Sequence, residues 1–283
     1  MTKQETTQDR ETPIERAGAP HGTKGPARVD FGYSWFWTYG HLLPAAALTT
    51  AAIASAQTGG PGWLTVGSGA IAIWAFAGFL VTRFVVRMNE LGPLPSPDFA
   101  TGTAHVLDLG CGSGRTSIIV AQARPESRIT ALDDFSADYF DGHGEANTRA
   151  NFLAAGVGDR VEIRSGDMRR LPFPDASFDG VVSSGAIDHL ERGDIPIALA
   201  EANRVLRENG QVLLWLIVPN LWSLIATGPL AYLHGSSLRP RVWREMLGTA
   251  GFRIDAEGTA RGLAWIQATR AREAAVPVAA DPA

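Results

Sequence analysis

The chain has 283 residues, 45% of them hydrophobic and 19% charged, which supplies a buried core and excludes an unfolded chain. A net charge of −4 leaves no basic stripe of the kind that phosphate-backbone binding draws on, so nucleic acid is set aside as a partner. The single cysteine, Cys111, excludes an internal disulfide framework and a cysteine zinc site.

Residues 1–30 mix five basic and five acidic side chains with Thr, Gly and Pro and show no apolar periodicity, which predicts a disordered cytoplasmic tail. From Phe31 to Thr82 there is then no Asp, Glu, Lys or Arg. The turn "TGGPG" (Thr58 to Gly62) divides this run into two stretches, each close to the roughly 20 residues needed to cross a bilayer. Residues 31–88 are therefore predicted to form a two-helix transmembrane hairpin. Tyr33, Trp35, Phe36, Trp37 and Tyr39 at its entrance have the character of headgroup-level aromatics, and Arg83 and Arg87 close the second span. Lys24 and Arg28 precede the first span and the turn has no charge, so both ends are expected in the cytoplasm, at the cytoplasmic membrane. Two other readings are weaker. A cleaved signal peptide would use Ala54, Ser55 and Ala56, but its leading segment is too long and a second uncharged run follows. A buried helical pair would not ordinarily lack charge so completely.

A Pro- and Gly-rich linker follows at residues 89–104, and from residue 105 to 272 the texture is that of an α/β domain. "HVLDLG", "RITALD", "RVEIRSGD", "FDGVVSSGA" and "GQVLLWLIV" read as strands. "RTSIIVAQAR", "EANTRANFLAAG" and "IPIALAEANRVLRENG" read as the helices between them, with a further helix at "RPRVWREMLGTAG" and strands at "RIDAEG" and "LAWIQATR". Such alternation predicts a Rossmann-like, seven-stranded, mostly parallel sheet with helices on both faces. Residues 273–283 read as a flexible tail. In this fold the ligand lies beyond the carboxyl ends of the strands.

The first strand runs into Gly110, Gly112 and Gly114. A dinucleotide fingerprint wants a small residue where Arg115 stands, and a P-loop wants Gly and Lys where Arg115 and Thr116 stand. What remains, "VLDLGCGSG", resembles the first motif of the class I S-adenosylmethionine-dependent methyltransferases, and the following segments resemble that family in order. The resemblance covers about residues 104 to 218. It implies S-adenosylmethionine as cofactor, held by the loop residues Gly110, Cys111, Gly112 and Gly114, with Asp108 steadying the loop and the ammonium end. Asp133, nineteen residues beyond Gly114, would grip the ribose hydroxyls, with Asp134 as the alternative because "DDFS" carries an extra residue. In the segment that runs from Asp167 to the strand ending at Ser184, Asp167 and Met168 would contact the adenine, and Ser184 joins the cofactor set.

Methyl transfer needs a general base only if the nucleophile carries a proton. The catalytic candidates are Asp188 and His189 after the fourth strand, where His189 is either the base or a helix-start residue packed over the cofactor; His143 is weaker. No His pattern suggests a metal site. A second uncharged run, Gln211 to Leu238, contains an apolar insert at about 219–238 whose Pro219 and Gly228-Pro229 break a span. It is read as an apolar lid or membrane-surface element, or alternatively as a buried helix pair. The sequence thus implies a membrane-anchored methyltransferase acting on a small, hydrophobic or lipid-like molecule, or a membrane-tethered cofactor-binding module without catalysis. The acceptor atom and the oligomeric state are not legible in it.

Overall fold

The computed structural model describes residues 29–33, 35–136, 144–228 and 238–271. Most of the predicted tails, His143 and the part of the insert from Pro229 to Ser237 lie outside the described residues.

Three helices lead: α1 (Trp35–Tyr39), α2 (Leu42–Gln57) and α3 (Gly62–Leu80), the last continued by a π-helical turn at Val81–Val86. The hairpin forms because small residues face inward. Ala45 and Ser55 of α2 and Ser68, Ala72, Ala75 and Gly78 of α3 are buried, and Thr65 Oγ1 donates to Ser55 Oγ at 2.8 Å. Small residues let two backbones approach closely. The large apolar side chains face outward, with Trp63 75% and Ile73 73% exposed. Among the described residues only Gly62–Val86, 25 residues, is long and apolar enough to cross a membrane. At 16 residues α2 is about 24 Å long, short of the roughly 30 Å of hydrocarbon. The predicted pair of full spans is therefore reduced to one candidate, because the chain breaks at Gly40 and His41 before α2 begins.

The remaining elements are β1 (His105–Leu109), α4 (Arg115–Ala123), β2 (Arg128–Asp133), α5 (Glu145–Ala154), β3 (Val161–Ser165), β4 (Phe178–Ser184), a 3₁₀ turn (Ile187–His189), α6 (Ile195–Val205), β5 (Leu206–Leu216), α7 (Leu221–Thr227), α8 (Pro240–Thr249), β6 (Phe252–Ala260) and β7 (Leu263–Arg270). The sheet has seven strands in the order β3-β2-β1-β4-β5-β7-β6. β1 to β5 pair in parallel, and β7 runs antiparallel to both β5 and β6. Strands buried on both faces need continuous apolar runs, and Val106, Leu107 and Leu109 of β1 and Val212 to Leu214 of β5 are almost wholly buried. On one face α6 and α8 set Leu199, Trp243 and Leu247 against the sheet; on the other, Ile118 and Val120 of α4 and Phe152 of α5 do the same. Each such side chain contributes about 1.5–3 kcal/mol through burial.

Two boundaries differ from expectation. Helix α6 ends at Val205, where the sequence predicts helix to Gly210: Leu206 pairs with Phe178 across the sheet, and Asn209 takes a left-handed φ of 59°. The predicted linker is packed onto the domain, since Phe99 is fully buried and the Ala100 amide donates to Gln211 Oε1 at 2.8 Å.

Candidate functional site

The strand order reverses beside β1, where β2 lies on one side and β4 on the other, so a crevice opens at the carboxyl ends of these strands. The glycine loop floors it. Gly110 and Cys111 donate their amides to the Leu132 carbonyl at 2.8 and 3.0 Å, fastening the loop to the end of β2. Gly110 has φ 73° and Gly114 φ 86°, a region that strongly favours glycine. A Cβ on Gly110 would sit 2.3 Å from Ala186 Cβ, and one on Gly114 would sit 2.4 Å from the Phe152 ring. Gly110 and Gly114 are therefore required by backbone conformation and by contact, and Gly112, at φ 52°, is favoured by conformation.

Asp133, at the end of β2, accepts from the Gly112 amide through Oδ2 and from the Phe135 amide through Oδ1, both at 2.7 Å. Its carboxylate holds the loop and also lines the crevice. Asp134 lines it too and turns its Oδ1 to the amide and hydroxyl of Ser136. Asp167 and Met168 stand after β3 on the same wall, together with Gly110, Cys111, Gly112 and Ser184. Arg169 clasps the Asp167 carboxylate, with its Nη2 at 2.7 Å from Oδ2, and also reaches Asp194; this pairing lowers the Asp167 pKa.

Two expected contacts sit behind the wall. Asp108 is fully buried and accepts from Ser117 Oγ at 2.6 Å, so it steadies the base of the loop but does not line the crevice. Burial raises its pKa to about 7, against the Ser117 hydrogen bond and with a smaller push from Asp133. Gly114 likewise shapes the loop from outside the cleft. Asp188, expected as a catalytic candidate, is buried and accepts from the Ile217 amide at 2.8 Å, tying the 3₁₀ turn to the end of β5. His189 does line the crevice, and burial lowers its pKa. Burial raises the Cys111 thiol pKa well above its usual value, which keeps it a packed thiol, not a thiolate.

The sequence reading missed Tyr33, Arg115 and Asn151. Tyr33, grouped there with the headgroup aromatics, lines the crevice because residues 29–33 run back over the domain. Phe31 is 3% exposed in the core, and the buried Asn151 joins the segment to the loop. Its Nδ2 donates to the Asp30 and Ser113 carbonyls, and its Oδ1 accepts from the Asp30 amide. No local signal marks a pairing 121 residues apart.

A second cavity, about 540 Å³, opens beside the first. Its walls come from the hairpin (Phe36, Trp37, Pro44, Trp74) and from α7 (Ser223, Ala226, Thr227). His41 Nε2 donates to the Ala226 carbonyl at 2.5 Å, and Trp74 packs where a Cβ on Gly228 would stand, so α7 is docked onto the hairpin. The described part of the predicted insert is thus a wall between hairpin and domain. Tyr33, Arg115, Ser184, Gly185 and His189 are common to both cavities.

The crevice suits S-adenosylmethionine on its chemistry. Asp133, Asp134 and Asp167 line it against Arg115 and Arg169, and because Asp167 and Arg169 pair with each other the balance left is two carboxylates to one guanidinium. That balance repels a pyrophosphate and favours a cationic sulfonium, while carboxylates are natural acceptors for ribose hydroxyls.

A family profile described as a methyltransferase domain matches residues 106–210. A probable S-adenosylmethionine-dependent methyltransferase of Mycolicibacterium smegmatis is 34% identical over 152 residues, 53% of this chain and 52% of that protein. A ubiquinone/menaquinone biosynthesis C-methyltransferase of Paracoccus denitrificans is 35% identical over 109 residues, 38% of this chain and 40% of that protein. The chain spans about half the length, or less, of these curated relatives. An O-methyltransferase family 2 protein from Planctomyces limnophilus, solved with apigenin, has the same fold at a TM-score of 0.52 and 19% identity, over 74% of this chain and 69% of that one. Residues 106–210 thus match a methyltransferase domain, the seven-stranded sheet has the Rossmann-like methyltransferase fold, and the similarity to S-adenosylmethionine-dependent methyltransferases implies S-adenosylmethionine as the cofactor.

Proposed function

We propose that the chain is a membrane-anchored S-adenosylmethionine-dependent methyltransferase that acts on a small, hydrophobic, lipid-like acceptor, with its catalytic domain on the cytoplasmic face of the cytoplasmic membrane. The observation that carries this reading is the apolar cavity that opens beside the cofactor crevice and takes one wall from the hairpin. A candidate span with large apolar side chains turned outward supports anchoring, and an anchor that also forms the acceptor wall gives a bilayer-dissolved molecule a short route to the site. The relative named for ubiquinone/menaquinone biosynthesis fits an acceptor of that kind.

The bound cofactor supplies an electrophilic methyl on a sulfonium. The chain's own task is to orient the pair and keep water out, and positioning of this sort supplies several kcal/mol. Asp133 holds the ribose hydroxyls, the amides and carbonyls of the glycine loop hold the methionine part, and Asp167 and Met168 flank the adenine. His189 stands on the wall shared with the acceptor cavity. With its pKa lowered by burial it is neutral at neutral pH, so it can take a proton from an acceptor that must lose one.

The test is titration of the detergent-solubilised full chain with S-adenosylmethionine and, in parallel, NAD, followed by transfer of labelled methyl into a membrane lipid extract. Binding of the methyl donor alone and label in the organic phase are expected. Binding without any organic-phase label would leave a tethered cofactor-binding module.

A further inference from the structure

Of the residues on the apolar cavity's wall, Arg115 alone among the described residues is Arg, Lys, Asp or Glu, and it stands where that cavity joins the crevice. Its Nε donates to the Glu90 carbonyl at a long 3.4 Å, and its guanidinium lies 5.8 Å from the Trp215 ring centroid. No ion pair to a carboxylate is formed by it among the described residues, and burial, with the like-charged Arg261, lowers its pKa. Arg169 pairs with Asp167 and Asp194, Arg204 with Asp175 and Glu201, and Arg244 with Glu257, whereas Arg124, Arg160 and Arg261 are met by backbone carbonyls away from the apolar cavity. The Glu90 carboxylate is taken by Arg83 and Arg87. Arg115 is half-buried, and a guanidinium partly withdrawn from water into apolar surroundings gains from an anion, for which its fork of donors is matched to a carboxylate.

We propose that Arg115 receives an oxyanion of the acceptor, so that the substrate class is an acidic amphiphile with its apolar body in the cavity and its oxyanion at the seam. This rests on the functional reading above. Methylation at that oxygen forms an O–C bond to the methyl, breaks the methyl–sulfur bond with its electron pair left on sulfur, and moves no proton. A cation and an anion are consumed together to give a neutral ester or ether and a neutral thioether. Charge cancellation of this kind is favoured in an apolar, low-dielectric cavity. The other possible source of an oxyanion is the cofactor's own α-carboxylate, because Arg115 also lines the crevice.

The experiment is equilibrium dialysis of the detergent-solubilised full chain with labelled dodecanoate and with methyl dodecanoate, which keeps the alkyl chain and lacks the charge. S-Adenosylhomocysteine and 5′-methylthioadenosine, which lacks the α-carboxylate, are titrated on the same samples. Wild type is expected to prefer dodecanoate by about tenfold or more, Arg115→Gln to lose the preference, and Arg115→Lys to retain part of it. An unchanged preference in Arg115→Gln overturns the inference. So does a variant that loses affinity for S-adenosylhomocysteine alone, since the guanidinium then serves the cofactor. If Arg115→Gln fails to bind 5′-methylthioadenosine it is misfolded, and Arg115→Lys decides: a preference equal to wild type's sinks the idea, and a reduced one supports it. Wild type that binds no S-adenosylhomocysteine defeats the functional reading, whereas wild type that binds it without preferring dodecanoate defeats only this inference.

Discussion

Asp108 gives the domain a pH dependence that one substitution removes. Its side chain is fully buried under the glycine loop, Oδ2 accepts from Ser117 Oγ at 2.6 Å, and Oδ1 has no partner among the described residues. Burial raises its pKa from 3.8 to about 7, so between those values the native state holds a proton that the unfolded chain has released. Stability conferred by that proton is complete below about pH 4 and is lost as pH rises through 7. A displacement of about three units corresponds to about 4 kcal/mol, of which about 3 kcal/mol falls between about pH 5 and pH 8. Asp108→Asn keeps an oxygen for Ser117 and cannot ionise. Chemical unfolding of the ligand-free full chain in detergent, wild type against Asp108→Asn, is therefore expected to show a stability difference that shifts in the variant's favour by about 3 kcal/mol between about pH 5 and pH 8. Other titrating groups are common to both proteins and cancel in that difference. Parallel pH profiles would refute the reasoning, because they would mean that the carboxyl reaches water or a counter-charge when it ionises.

Asp133→Ala removes a carboxylate that holds the Gly112 amide, lines the crevice and is proposed to take the ribose hydroxyls, so S-adenosylmethionine affinity is expected to fall about 100-fold by calorimetry; a loss under threefold counts against that role. Gly114→Ala puts a Cβ 2.4 Å from the Phe152 ring at φ 86°, and the expected loss is about 2–4 kcal/mol, seen as a lowered Tm; an unchanged Tm excludes the described loop. Gly78→Leu drives a side chain into the His41 ring and the Ile225 carbonyl, so it is expected to part the hairpin from α7. Methyl transfer to a lipid extract should then fall with cofactor affinity unchanged, and equal losses of both would show that the hairpin is not specific to the acceptor side.

What the sequence made legible is what depends on near neighbours in the chain. The three alternate glycines, the acid ending the second strand and the alternation of strands with helices each express a local requirement, whereas the strand order, with β7 inserted antiparallel between β5 and β6, depends on long-range pairing. Arg115 already sufficed to reject a dinucleotide fingerprint, yet its place at the seam of two cavities depends on Tyr33 and Trp215, which come from distant segments. Tyr33 was misassigned for the same reason. A ring next to an uncharged run looks locally like a headgroup anchor, and it takes the buried Phe31 and the grip of Asn147 and Asn151 of α5 on Asp30 to show that the segment folds back over the domain. Composition also could not choose between lid and buried helix for the insert, because an apolar wall and an apolar core use the same residues. Docking against Trp74 and His41 makes the choice for α7: an element that packs on the hairpin and lines the cavity beside the crevice has little room for charge, and the uncharged stretch Leu221–Thr227 is the trace of that double constraint.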